Sequence, residues 1–413
     1  MQDGAGSRLA GLLRDPAAHA VLALGITQIC AWGTTLYALG VLGKPIAADT
    51  GWSQTLVFGG LTIGLLVSGA VSAAVGRLID RRGGRAVMAI GSIVMAAGLV
   101  LLSFVTDPYA YLAVWALLGI AMRLSLYDAA FAALVQVAPS RGRRCISYLT
   151  LFGGFASSIF WPIGHALNGA VGWRHTLLIF AAINLLVCLP LHWIGLARRE
   201  SAAPPVPAEA TNQAAPASTA PLDGAERTIA MALFSLIVAA SAFVFGALAV
   251  HLVPILEATG LAAASAVFLA SLKGVAQVLG RIWDLTLARA WHPIDVGRVS
   301  VAFIPLSFVV LMLGGANFWA ALAFTLTFGV ANGLVTIMRG AVPLALFGPI
   351  GYGEVLGVLA TPYLLLAAIA PAVFALVVER YGYGAGEAIL LGAGALSLAS
   401  MEVMALWYRR RSR

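Results

Sequence analysis

Five ionisable side chains lie inside long apolar stretches of this sequence, where charge is costly. They are Arg123, Asp128, His251, Lys273 and Arg339. A charged residue inside a bilayer costs about 2.5–3.5 kcal/mol on insertion scales, so such residues usually face a protein interior or a water-filled cavity. Three cations against one firm acid predict a cavity that binds an anion. The groups that titrate near neutral pH predict a route for protons.

These charges have few partners nearby in sequence. Lys273 has no acidic neighbour, so we expect it to bind an anion; extension of its side chain to the membrane surface is the alternative. Arg123 and Asp128 are five residues apart, about 140° around a continuous helix, so each is expected to meet a partner on another helix or a ligand. The alternative is a purely structural ion pair of Asp128 with Arg123 or Arg339.

Polar and aromatic side chains of other apolar runs extend this cavity. Gln28, Trp32 and Thr35 follow i, i+4, i+7 spacing, so one helix face presents all three. Helix packing is the alternative for each aromatic residue. The predicted substrate-binding residues are Lys273, Arg123, Arg339, Gln28, Trp32, Thr35, Tyr37, Asn332 and Tyr363, and the predicted proton carriers are Asp128, His251 and His165. The same lining is expected to include Tyr148, Trp161 and Phe245.

The elements that position these residues are predicted to be membrane helices. Of 413 residues, 61% are apolar and 10% are charged, whereas soluble domains have roughly 45–50% and 25%. A helix needs roughly 20 apolar residues to cross a bilayer. Twelve runs meet this requirement, approximately 19–43, 55–77, 85–106, 109–137, 144–169, 174–197, 228–255, 262–287, 295–314, 317–344, 354–379 and 384–407. Bends are expected at Pro162, Pro254, Pro362 and Pro371.

The positive charge follows the sides of the membrane. When alternate loops are assigned to opposite sides, 19 of the 25 Lys and Arg residues fall on one side and 3 on the other. The net charge of +8 therefore indicates topology and not nucleic-acid binding. Both termini are predicted to be cytoplasmic, in the cell's inner (plasma) membrane. The predicted segments are a cytoplasmic segment 1–18, a six-helix bundle 19–197, a flexible linker 198–227, a second bundle 228–407 and a basic tail 408–413.

Two internal matches divide the runs into halves of six. GRLIDRRGGR, beginning at Gly76, and GRIWDLTLAR, beginning at Gly280, are offset by 204 residues and share a glycine, two arginines and an aspartate. A second match, offset by 210 residues, pairs Gly119 of the fourth run with Gly329 of the tenth. Self-similarity of this kind predicts two parallel, pseudo-symmetric six-helix bundles.

With these features the chain resembles the major facilitator superfamily over its whole length. The segment Gly76–Arg85 is similar to that family's G-x-L-x-D-R-x-G-R-R loop between helices two and three. The resemblance implies an ion-pair latch between the halves that stabilises the outward-open state. It would comprise Gly76, Asp80, Arg81, Arg85, Gly280, Arg281, Asp284 and Arg289. The alternative is that these glycines only pack helices and the arginines only set topology.

Within the superfamily, the chain resembles the monocarboxylate and oxalate/formate porters. The resemblance rests on the segment Asp49–Ser53 that leads into helix two, the tyrosine of GTTLYALGVLGKPI in helix one, and a cation in helix eight. In those porters a basic residue of helix eight binds the substrate carboxylate, which implies this role for Lys273. The helix-five pattern of the monocarboxylate porters is matched only in part, at Arg143 and Arg144.

These observations predict a secondary active transporter, and not an enzyme, that moves a small organic anion by alternating access with proton coupling. The sequence contains no GxxxxGK[ST] motif for ATP hydrolysis, and no cofactor or metal is expected. The predicted partners are the anion, protons and the lipid bilayer, for a protein that works as a monomer. The alternative is a proton antiporter that exports drugs or hydrophobic metabolites, which would typically carry an acidic residue in helix one.

Overall fold

The structure is a computed structural model, and it describes residues 15–200 and 221–411. The predicted bundles 19–197 and 228–407 lie within these ranges. Most of the predicted N-terminal segment, with Arg8 and Arg14, lies outside the described residues. So do linker residues 201–220 and residues 412–413 of the tail.

Ten helical segments are long and apolar enough to cross a membrane. Two of them, Pro139–Gly195 and Tyr352–Arg411, have 57 and 60 residues. A 60-residue helix would extend about 90 Å, whereas the hydrocarbon core is about 30 Å thick. Each of the two segments turns at one glycine, Gly172 (φ 77°, ψ 167°) and Gly382 (φ 80°, ψ 170°), in a backbone region open essentially to glycine alone. The ten segments therefore contain twelve spans, which confirms the predicted all-α membrane fold.

We number the spans 1 to 12 in chain order. In the first half, the spans are Pro16–Thr50, Gln54–Arg82, Gly84–Phe104, Pro108–Val137, 139–171 and 173–195. In the second half, they are Gly224–Ala258, Ala263–Thr286, Pro293–Gly314, Phe318–Phe347, 352–381 and 383–411. Each predicted run coincides with one of these spans.

The two glycine corners repeat the symmetry of the sequence. Gly172 and Gly382 are 210 residues apart, the offset that relates Gly119 to Gly329. In the first half the corner is held by side chains, because Trp173 Nε1 donates to Asp49 Oδ2 at 3.1 Å and Arg174 donates to the same oxygen.

Three spans of the first half are interrupted. Span 1 consists of helices Pro16–Thr34 and Ala38–Thr50, span 4 of Pro108–Ser125 and Tyr127–Val137, and span 5 of Gly142–Gly153 and a helix that starts at Ala156. The expected bends at prolines are not where these interruptions occur. Broken helices leave backbone groups free for other partners, and in membrane proteins they mark the midplane binding sites.

The apolar cores show where the halves meet. We call the membrane side that bears Arg81, Arg144 and Arg289 the arginine-rich end. The first-half core at this end includes Leu344, Tyr352 and Leu356 of the second half. The first-half core at the opposite end contains first-half residues alone, and the second-half core contains second-half residues alone. Among the described residues, the apolar packing between halves is therefore confined to the arginine-rich side.

Candidate functional site

Spans 2 and 11 meet through their backbones. The Asp80 carboxylate accepts hydrogen bonds from the amides of Gly353 (2.9 Å) and Glu354 (2.7 Å). These amides begin span 11, so Asp80 caps a helix N-terminus of the other half and lies at its positive dipole end.

Small residues bring these two spans into direct contact. A Cβ added at Gly76 would overlap the carbonyl of Gly353, and a Cβ added at Gly357 would lie 2.6 Å from the carbonyl oxygen of Ser72. Thr361 Oγ1 donates to the carbonyl oxygen of Gly69 at 3.0 Å. We call this contact the glycine interface; it comprises Gly69, Ser72, Gly76, Asp80, Gly353, Gly357 and Thr361.

Spans 5 and 8 meet at the pseudo-symmetric position through charged side chains. Asp284 is 3% exposed; its Oδ2 accepts from Ser147 Oγ at 2.6 Å, and its Oδ1 lies 3.6 Å from Arg143. Arg143 also donates to the carbonyl oxygens of Ala288 (3.3 Å) and Trp291, just beyond the C-terminus of span 8. A cation is favourable at that helix end. We call this contact the charged interface; it comprises Arg143, Ser147, Gly154, Arg281 and Asp284.

The remaining residues of the expected latch do not cross between the halves. The Arg85 guanidinium stacks on Trp193 of its own half, 4.1 Å from the ring centre. Gly280 packs against Val330, also within its own half. Arg81 and Arg289 are exposed. The aspartates therefore bind amides, a hydroxyl and Arg143, and not the arginines that the family pattern implies.

One surface cluster ties the arginine-rich loops of the first half together. Arg141 forms ion pairs with Asp15 and Glu200, each at 2.6 Å. The hydrogen bond from Arg141 holds the pKa of Asp15 below its ordinary value. This cluster lies within one half and takes no part in the contact between halves.

Arg281 occupies a place that the sequence prediction missed. The loop assignment puts it at the membrane surface, but span 8 remains helical to Thr286 and Arg281 is only 4% exposed. Its guanidinium lies against Gly154 of span 5. Its Nε and Nη1 have no hydrogen-bond partner, and within the described part of the chain it forms no ion pair. A buried guanidinium in this condition is chemically suited to hold an anion.

Arg281 lies beside a row of aromatic rings from the first half. The Tyr127 hydroxyl touches Gly153, next to Gly154, and donates to the carbonyl oxygen of Thr150 at 3.3 Å. The ring centres are separated by 5.2 Å (Tyr127 to Trp32), 6.2 Å (Trp32 to Tyr37) and 6.1 Å (Tyr37 to Trp161). We call Tyr127, Trp32, Tyr37 and Trp161 the aromatic row.

The charges of spans 4 and 10 form a cluster that joins the halves. Arg339 Nη2 donates to both oxygens of Asp128, at 3.0 and 3.2 Å, and its guanidinium stacks 3.6 Å from the centre of the Tyr363 ring. Arg123 Nη1 lies 3.6 Å from Asp128, and Arg123 Nε donates to Ser72 Oγ at 2.5 Å. Asp128 therefore forms ion pairs with two arginines. The alternative was a pair with Arg123 or Arg339, and both pairs are present.

The expected 140° between Arg123 and Asp128 is wrong because span 4 is not a continuous helix. It breaks at Leu126 (φ −84°, ψ −170°). Gln28 Nε2 donates to the free carbonyl oxygen of Ser125 at 2.8 Å, and Gln28 Oε1 accepts from Trp32 Nε1 at 3.2 Å. Gln28 therefore supports this break and fixes the Trp32 ring.

The other predicted site residues lie in varied surroundings. Thr35 is buried and its hydroxyl donates to the Ala31 carbonyl oxygen. Lys273 is half-buried, about 80° around span 8 and about 12 Å along it from Arg281, and Asn332 is half-buried on span 10. His251 Nε2 donates to the Pro371 carbonyl oxygen at 3.1 Å.

His165 follows Trp161 by one helical turn and is exposed. No group of three or more His, Cys, Asp or Glu residues suited to a metal occurs in residues 15–200 and 221–411.

Comparisons with known proteins agree with this architecture. Residues 24–371 match the family model described as Major Facilitator Superfamily. The human organic anion transporter MFSD10 (TETRAN) has a similar structure, with a TM-score of 0.68 and 17% identity over 95% of this chain and 99% of that chain. The transporter FucP, in the outward conformation, gives a TM-score of 0.70 and 15% identity over the same shares of the two chains. No curated protein sequence matches. At these identities the two structures establish the fold.

Proposed function

The chain belongs to the major facilitator superfamily, so it is a membrane transporter and not an enzyme, and we propose that it carries a small organic anion. The proposed substrate is a monocarboxylate-like anion, as in the monocarboxylate and oxalate/formate branch. The proposed mechanism is alternating access coupled to protons.

The unpaired Arg281 carries this proposal. It lies between the halves, where a substrate can contact both in turn. A carboxylate is the ligand that matches a guanidinium fork. Arg339 is already engaged by Asp128, so we propose Arg281, in place of Lys273, as the primary ligand. Lys273, about 12 Å along the same helix from Arg281, supplies a second positive charge.

The anion site is tested by uptake of radiolabelled carboxylates into proteoliposomes under an imposed pH gradient. Arg281→Gln is expected to lower affinity by roughly 10- to 100-fold, because charge-assisted hydrogen bonds contribute about 1.5–3 kcal/mol. Arg289→Gln, an exposed arginine eight residues away, is the matched control and is expected to transport normally. Export of hydrophobic dyes without any carboxylate uptake would overturn the anion proposal. Normal uptake by Arg281→Gln would move the site to Lys273.

Proton coupling is proposed to act through Asp128, because this carboxylate holds Arg339 of one half and Arg123 of the other. Protonation removes the charge that joins them. His251 and His165 are the remaining candidates. Asp128→Asn, which mimics the protonated form, is expected to retain anion exchange but to lose accumulation driven by a pH gradient. Full accumulation by this variant would return the role to a histidine.

The proposed topology follows the arginines. We propose that the arginine-rich end lies in the cytoplasm of an inner (plasma) membrane, so that both termini are cytoplasmic. The packing between the halves at that end then closes the cytoplasmic side. The segment bounds 19–197, 198–227 and 228–407 and the monomeric state are part of this proposal.

A further inference from the structure

We propose that the anion carries an aromatic ring: the substrate class is an aryl carboxylate, such as benzoate or phenylacetate. The inference rests on the proposed anion site at Arg281. It adds the identity of the group attached to the carboxylate, and it comes from the aromatic row.

The aromatic row begins at the anion site and leads away from it. Tyr127 lies beside Arg281 through the adjacent glycines Gly153 and Gly154. From Gly154 to Trp161, span 5 rises by seven residues, or about 10 Å. That distance accommodates one carboxylate and one six-membered ring placed end to end.

Tyr127 belongs to the apolar core of the first half, but the other rings of the row are accessible. Trp161 is 50% exposed, and Trp32 and Tyr37 are partly exposed. In contrast, the phenylalanine cluster of the second half, Phe308, Phe324 and Phe328, is fully buried. The accessible rings Trp32, Tyr37 and Trp161 offer faces and edges to a further ring, the arrangement that aromatic pairs favour.

Polar contacts hold the row in place. The Trp32 indole is fixed by its hydrogen bond to Gln28, which in turn bonds to the break in span 4. Span 1 breaks between Thr34 and Ala38, where the Tyr37 amide donates to the carbonyl oxygen of Trp32 at 3.1 Å. Ring orientation is thus set before a ligand arrives, which reduces the entropy lost on binding.

The site offers nothing to an ammonium group. Asp284, one helical turn from Arg281, accepts from Ser147 and lies 3.6 Å from Arg143, and the oxygens of Asp128 face Arg339 and Arg123. A zwitterion would bring an unpaired cation next to the cationic Arg281. The inferred class is therefore the simple aryl carboxylate and excludes aromatic amino acids.

The test compares four probes on purified protein in detergent by titration calorimetry and in proteoliposomes by uptake: benzoate, cyclohexanecarboxylate, lactate and phenylalanine. Cyclohexanecarboxylate matches benzoate in charge and size but has no π face. Benzoate is expected to bind roughly three- to tenfold more tightly than cyclohexanecarboxylate, lactate more weakly than both, and phenylalanine not measurably.

Trp161→Leu is expected to remove the preference for benzoate over cyclohexanecarboxylate. Trp161 is exposed, so this variant is expected to fold. Trp319→Leu, at a position that is 72% exposed, is the matched control and is expected to keep the preference.

Equal affinity for benzoate and cyclohexanecarboxylate, or tighter binding of lactate, would overturn the aryl assignment while the anion site stands. A preference that survives in Trp161→Leu would also overturn it. Failure of all four probes to bind or be transported would instead refute the proposed function itself.

Discussion

The glycine interface and the charged interface occupy pseudo-symmetric positions but are built differently. At the first, Gly76 and Gly353 bring two backbones into contact, and Asp80 caps the amides at the start of span 11. At the second, long side chains fill the gap, with Asp284 held by Ser147 and Arg143. One contact depends on the absence of side chains and the other on their charges.

This difference separates a fixed contact from a responsive one. Backbone packing at the glycine interface does not change strength when an anion binds. The charged interface contains Arg281, one helical turn before Asp284, so an anion at Arg281 alters the field on the aspartate directly. We therefore expect substrate to act on spans 5 and 8, while spans 2 and 11 transmit the motion.

The largest effect is expected from Gly76→Leu, which would force a side chain into the carbonyl of Gly353. Overpacking of this kind costs about 1–3 kcal/mol or more, so closure of the arginine-rich end should be lost and uptake should fall at least about tenfold. Spin labels on cysteines introduced at the exposed Arg82 and Ile350, with the native cysteines replaced, should move apart.

Gly59→Leu is the control for this experiment, because a Cβ at Gly59 of the same span meets nothing within 4 Å. Normal uptake by Gly76→Leu would show that the glycine interface does not need its close approach.

An intermediate effect is expected from Asp284→Ala, which leaves Ser147 and Arg143 without their acceptor. The loss is about 1–3 kcal/mol, so labels at the exposed Arg144 and Ala290 should shift to longer distances. The Arg82 to Ile350 distance should stay the same, and Glu257→Ala, an exposed acid of span 7, should change neither distance. If both distances lengthen together, the two interfaces open as one unit and do not respond separately.

The smallest effect is expected from Thr361→Val, which removes the hydrogen bond to Gly69 and keeps the side-chain shape. A neutral hydrogen bond contributes about 0.5–1.5 kcal/mol, and this hydroxyl also has the Gly357 carbonyl oxygen at 3.3 Å as an acceptor. Uptake should change by no more than about threefold. An effect as large as that of Asp284→Ala would mean that a side-chain bond, and not the glycines, holds this interface.

Local patterns in the sequence predict much of this molecule. Apolar runs of sufficient length predict the twelve spans because a bilayer leaves few other structures available. The repeated spacing of Gly76 with Asp80 and Gly280 with Asp284 points to the two places where both aspartates contact the opposite half. For the charges in apolar runs, the ion pair of Asp128 with Arg339, given as an alternative, is the one found across the halves.

Features that depend on distant partners are missed. The break at Leu126 has no proline or glycine beside it, and the carbonyl freed there is satisfied by Gln28, 97 residues earlier in the chain. The segment around Arg281 matches the loop segment Gly76–Arg85, so the sequence groups Arg281 with the loop arginines that set membrane topology. The predicted run 262–287 already contains it, but its burial depends on a distant partner, Gly154 of span 5. Arg281 follows Lys273 by about two helical turns and lies about 80° from it around the same predicted helix. This spacing is the signal that could have identified it.

The corners at Gly172 and Gly382 bear on the ancestry of the chain. Their backbone angles agree closely, at φ 77° and 80° and ψ 167° and 170°. The residues that follow do not agree: Trp173 and Arg174 clamp Asp49 in one half, whereas Tyr383 and Gly384 stand in the other. A gene that arose by duplication and fusion would diverge first where side chains can be exchanged and last where a single amino acid fits the backbone. In this chain the turn between helix pairs is the same in both halves, whereas the side chains around it differ.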